Sequence, residues 1–134
     1  MTPIAALKAA IRTILVADGA LTALLEGAKV YDDVPRSAEA PYIAFAEAST
    51  REHGTATDKG HISELTLHVW SRQGGSSEGL AIASRLETLL DDAPLVLAGH
   101  HLVSGRVLAT ETRRLADRNL TRVALRLRFV TEVL

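Results

Sequence analysis

The sequence contains no cysteine, which excludes disulfides, thiolate nucleophiles and zinc–thiolate centres. Only five of its 134 residues are aromatic, too few for a platform on which successive nucleic-acid bases could stack. No apolar run approaches the roughly 20 residues a membrane helix needs. The opening Met1-Thr2-Pro3-Ile4 lacks the basic and apolar regions of a signal peptide, so cytoplasmic synthesis without membrane contact is expected. Catalytic signatures are missing as well. No Gly-x-Ser-x-Gly elbow occurs, and Gly74-Gly75-Ser76-Ser77-Glu78 lacks the Gly-Lys-Ser/Thr ending of a phosphate loop.

What is present is ordinary for a folded domain: 47% hydrophobic and 23% charged residues, in a length that suits one domain over 1–134. Charge is unevenly spread. The last thirty residues hold Arg106, Arg113, Arg114, Arg118, Arg122, Arg126 and Arg128 against three acids, a net of +4, leaving −5 for the rest. Such a split fits two complementary surfaces on one subunit, or a face turned to nucleic acid.

Thr2 and Pro3 suit the cap and first position of a helix, and Ile4, Leu7, Ile11, Ile14 and Leu15 form its apolar stripe. Asp18-Gly19 should end it, and Leu21, Leu24 and Leu25 predict a short second helix closed by Gly27. From Pro41 the period becomes two. A strand from Pro41 and a clearer one through Leu65, Leu67 and Val69 predict a hairpin with a mobile tip at 54–60. Ser76 or Ser77 can cap a helix buried through Ile82, Ala83, Leu86, Leu89 and Leu90, stopped by Asp91-Asp92-Ala93-Pro94. A short apolar strand at 95–98 and long strands near 102–114 and 119–133 should complete the chain. In the last strand Val123, Leu125, Leu127 and Phe129 alternate with Arg122, Arg126 and Arg128. The predicted class is α+β: an antiparallel sheet with helices packed on one face, in the order ααββαβββ.

Five histidines raise a metal hypothesis. His100 and His101 are adjacent and would point to opposite faces of an extended segment, and His53, His61 and His68 lack partners at ligand spacing. Asp32-Asp33 and Asp91-Asp92 lack the alternating ligands and central glycine of a calcium loop. No metal, cofactor or catalytic residue is expected. Trp70 shares a strand face with His68 and Thr66, where exposure would mark a contact surface and a covering helix would make it core.

The block Val30-Tyr31-Asp32-Asp33-Val34-Pro35, followed by Ala40-Pro41-Tyr42-Ile43 and Leu65-Thr66-Leu67-His68-Val69-Trp70-Ser71, resembles the tail-completion (tail terminator) proteins of long-tailed phages, prophages and gene transfer agents. The Leu/Ala-rich first helix, Ala20–Leu25 and the closing strand extend the resemblance over most of the chain. It implies a non-enzymatic virion protein, made in a bacterial host. Such a protein forms a homohexameric ring on the head-proximal end of a tail tube, stops tube growth and docks the head. Implied partners are further copies of itself, the tail tube protein and a head–tail connector, with DNA passing through without specific binding. A neck or head-completion protein on the portal side is the alternative; a small DNA-binding module using the C-terminal arginines is one from another class. Candidate interface residues are Asp32, Asp33, Glu39 and Trp70, with Arg113, Arg114, Arg122, Arg126 and Arg128 as the basic counterpart.

Overall fold

The computed structural model describes residues 2–55, 59–72 and 76–134. Two helices come first, α1 (Pro3–Ala17) and α2 (Gly19–Leu25). The Thr2 hydroxyl accepts the Ala5 N–H at 3.2 Å, so α1 opens with a side-chain cap. Asp18 serves both helices. Its N–H closes α1 on the Leu15 carbonyl, and its carboxylate accepts the Leu21 N–H at 2.9 Å to open α2. Glu26 in the left-handed region and Gly27 at φ 141° end α2, and the Gly27 N–H bonds the Thr22 carbonyl.

Five strands follow: β1 (Val30–Tyr31), β2 (Tyr42–Glu52), β3 (Gly60–Arg72), β4 (His100–Leu115) and β5 (Leu120–Val133). The helix α3 (Ser77–Leu90) joins β3 to β4, and a 3₁₀ turn at Ala116–Arg118 joins β4 to β5. The sheet order is β1-β2-β3-β5-β4, antiparallel except for the short parallel pair of β1 with β2. The α+β sheet with one helical face agrees with the sequence reading, but its short strand is Val30–Tyr31. The 95–98 segment contributes one isolated bridge, Leu97 to His100, and its Leu95 and Leu97 are buried in the core. Residues 56–58 of the hairpin tip, and Gly74 and Gly75, lie outside the described residues.

Side-chain alternation divides the sheet into two faces. Leu65, Leu67, Val69, Val123, Leu125, Leu127 and Phe129 point to one side and join Leu7, Ile11, Leu15, Ile82 and Leu86 in a single core. α3 sits close because Gly79 faces the sheet: a Cβ there would lie 2.9 Å from the Val123 Cγ2. Ion pairs tie the helical layer together. Asp18 holds Arg85 through two bonds of 2.7 and 2.9 Å, and Arg72 bridges Glu26 and Glu78 at 2.9 and 2.6 Å. Glu78 also accepts the Arg72 N–H, so this carboxylate, not a serine hydroxyl, fastens the start of α3 to the end of β3.

Candidate assembly surface

Among the described residues no helix packs on the other face of the sheet, and strand register fixes what it shows. Directly opposed residues share a face, so Tyr42, Trp70, Arg122 and Arg113 form one row across β2, β3, β5 and β4. The next row is Ala44, His68, Ala124 and Glu111, and further along Glu64, Arg128 and Arg106 align. Tyr31 extends the aromatic end: its ring centroid is 5.8 Å from Tyr42, which is 6.5 Å from Trp70. His68 meets Trp70 edge-on at 6.0 Å. Trp70 is therefore a half-buried member of an uncovered aromatic cluster. Small side chains at Ala124 and Thr66, between Glu47, Glu111, Arg122 and Arg126, leave a depression of about 380 Å³ in this face.

The arginines are arranged against the stability of the isolated subunit. Arg113 stands opposite Arg122 and Arg106 opposite Arg128, and like charges directly opposed across strands repel. Arg106 has Asp91 at 3.1 Å. Among the described residues no carboxylate reaches ion-pair distance of Arg113, Arg114, Arg118, Arg122, Arg126 or Arg128. Glu64 lies opposite Arg128 on β3 without closing a pair. The Arg122 Nε is buried and has no acceptor among the described residues. Burial, then the Arg122 charge, pulls His68 below its ordinary imidazole pKa, and burial raises the Tyr42 phenol.

The acidic candidates sit at the other edge. Asp32 and Asp33 follow β1 directly, and Glu39 precedes the cis Ala40–Pro41 bond that leads into β2. Lys8 bonds Asp32 at 3.0 Å, yet the Asp32 side chain keeps 68% of its surface exposed. Asp33 and Glu39 are exposed, with no ion pair among the described residues. The structure thus separates the two charged sets by the width of the sheet and brings Trp70 and Arg122 together between them. Tyr31, Tyr42, Arg106 and Arg118 were not among the sequence candidates. Period-two alternation from Pro41 already places Tyr42 on the face of Ala44, but only register reveals its neighbours.

The histidines distribute as expected at one point, with His100 buried and His101 exposed. Register also sets His61 near His100, ring centroids 6.4 Å apart, which the sequence did not disclose. Among the described residues no three His, Asp or Glu side chains converge as metal ligands. No helix there is long and apolar enough to cross a membrane. A second hollow, between α1 and 94–98, is apolar, about 430 Å³, and bordered by the almost fully exposed Val96.

The described residues thus form an α+β sheet covered by helices on one face, with acidic side chains at the β1 edge and arginines without counter-charge on the open face. The chain belongs to the family described as Tail completion protein gp17, whose model matches residues 9–132. It is also similar, at 29% identity and a TM-score of 0.88 over 96% of both chains, to a chain in a solved structure titled "Virion of native gene transfer agent (GTA) particle". A search of curated proteins finds no match. The protein is a tail-completion component of a phage-like particle.

Proposed function

We propose that this protein caps the head-proximal end of a phage-like tail tube as a ring of identical subunits, ending tube growth and offering the surface on which the head docks. It acts by binding alone. The observation that carries this reading is the placement of charge: an exposed acidic turn at the β1 edge, where Lys8 meets Asp32 alone, and at the other edge Arg113, Arg122, Arg126 and Arg128, which have no counter-ion among the described residues. A closed ring larger than a dimer is built from heterologous contacts, in which one patch meets a different patch on the next copy. Opposite edges of one sheet are suited to that. The neighbour's Asp32 and Asp33 supply what Arg113 and Arg114 lack within the subunit, and homohexamers follow if each contact turns the chain by 60°.

Native mass spectrometry of the parent and of a D32K/D33K variant tests it. The parent should give a ring, or add one to tube ends, while the variant stays monomeric with an unchanged circular dichroism spectrum. Adding R113E and R114E to that variant should restore assembly. Undiminished assembly by D32K/D33K alone removes the acidic turn from the interface. A parent that stays monomeric both in solution and on tube ends refutes the ring.

The exposed Arg126 and Arg128 favour a second reading, in which this face touches DNA phosphates. Among the described residues no carboxylate reaches either of them, so a neighbouring subunit's carboxylates or the backbone of passing DNA would supply the counter-charge.

A further inference from the structure

The two edges of the sheet are each half sealed, and the seals sit at opposite corners. On one side β1 pairs with Ile43 and Ala44 only, so among the described residues no strand lies along the outer edge of β2 from Glu47 to Glu52, and these residues are exposed. On the other side the turn after α3 closes the first half of β4: the Asp92 N–H bonds the Gly105 carbonyl at 2.8 Å, and the Val107 N–H bonds Asp91 at 2.9 Å. Past the bulge at Leu108, nothing among the described residues bonds the outer edge of Ala109–Leu115. Long edges without bulk, proline or a covering loop are where sheets add strands.

We propose that a second copy of this chain lays the free Glu47–Glu52 edge of its β2 against the free Ala109–Leu115 edge of β4, so that the sheets of successive copies continue as one closed barrel. This rests on the ring reading above. Three features of the fold agree with it. First, β2, β3, β5 and β4 alternate in direction, so repetition by rotation sets β4 antiparallel to the next β2.

Second, the offset between the free segments matches barrel geometry. Thr112 is level with Val69 of β3, and the middle of the free β2 segment is level with Glu64 and Ser63. Between five and six residues separate these levels, roughly 18 Å at about 3.3 Å per residue, against roughly 19 Å for the width of four strands about 4.8 Å apart. Joining the segments therefore tilts the strands by roughly 43°, within the 35–45° or so that closed barrels adopt.

Third, the acidic turn lies just past β1, at the foot of the free β2 segment. The same docking brings Asp32 and Asp33 to the end of β4, where Arg113, Arg114 and Arg118 have no carboxylate at ion-pair distance among the described residues. One arrangement pairs the edges and the charges together.

Amide hydrogen exchange on the ring and on the dissociated subunit tests the pairing. Gly105 and Val107 turn their outer groups away from β5, and the alternation carried past the bulge turns the Thr110 and Thr112 N–H groups the same way. In the ring, amides in 47–52 and those of Thr110 and Thr112 should exchange at least tenfold more slowly. A T112P variant should lose the ring and keep the subunit fold, whereas T112K, which retains the N–H, should still assemble. A ring whose amides in both segments exchange as fast as in the subunit overturns the inference while leaving the ring reading intact. Protection of 109–115 without 47–52 also overturns it, assigning the edge to a different protein. Absence of any ring, in solution or on tube ends, defeats both.

Discussion

Replacing Gly79 by alanine sets two effects of similar size against each other. Gly79 lies in the first turn of α3, and alanine there gains up to about 1 kcal/mol of helix propensity. Its methyl group, however, would sit 2.9 Å from the Val123 Cγ2 and 3.2 Å from the Ser71 Oγ. Val123 is wholly buried on β5, a strand paired on both sides, so neither it nor the helix can retreat without disturbing the core. Overpacking of this kind costs about 1–3 kcal/mol. The clash should win, leaving G79A about 1 kcal/mol less stable in urea unfolding. V123A alone removes two buried methyl-sized groups and should cost about 2 kcal/mol. In the double variant the new methyl enters the space Val123 vacates, so the cost should fall short of the sum by about 1 kcal/mol or more. A G79A protein more stable than the parent, or strict additivity, would refute the close approach of α3 to the sheet.

Acid should loosen the helical layer first. Arg85 bonding, then the Leu21 N–H, hold Asp18 at a pKa of about 2, so its contribution is complete above the ordinary value near 3.8 and fades as pH falls toward 2. D18N should lower the melting temperature at pH 6 and flatten its decline between pH 4 and 2; an unchanged slope would show that Asp18 is not the coupled group. For the arginine face, fluorescence anisotropy with duplex DNA at about 50 mM salt separates the two readings. Assembled rings should bind only weakly, and submicromolar binding lost in R126E/R128E would assign the face to phosphate. Single reversals at the acidic turn should be unequal. D33K should impair assembly more than D32K, because Lys8 already offsets part of the Asp32 charge; equal effects would remove that ordering.

Patterns confined to one element were legible in the sequence. The α1 stripe, the alternation in β3 and β5, and the two-sided character of β5 all follow from side-chain period and survive unchanged. Relations between elements were not. β1 has two residues, too few to display a period, and exists because Val30 and Tyr31 fit beside Ile43 and Ala44. The 95–98 segment alternates like a strand, but Leu95 and Leu97 reach the core from a turn whose strand-like pairing, among the described residues, is one bridge to His100. Asp18 and Arg85 are 67 positions apart, and no local signal connects them. The same holds for the assembly surface: the charge split was visible in composition, whereas the Tyr42–Trp70–Arg122–Arg113 row and the two free edge segments depend on strand order and register.

An electron cryomicroscopy reconstruction of the intact particle should place this chain as one closed ring between the tail tube and the head connector, with Asp32 and Asp33 of each copy against the arginine end of β4 in the next. Density for the chain at the far tip of the tail, or on the portal side of the connector, would contradict it.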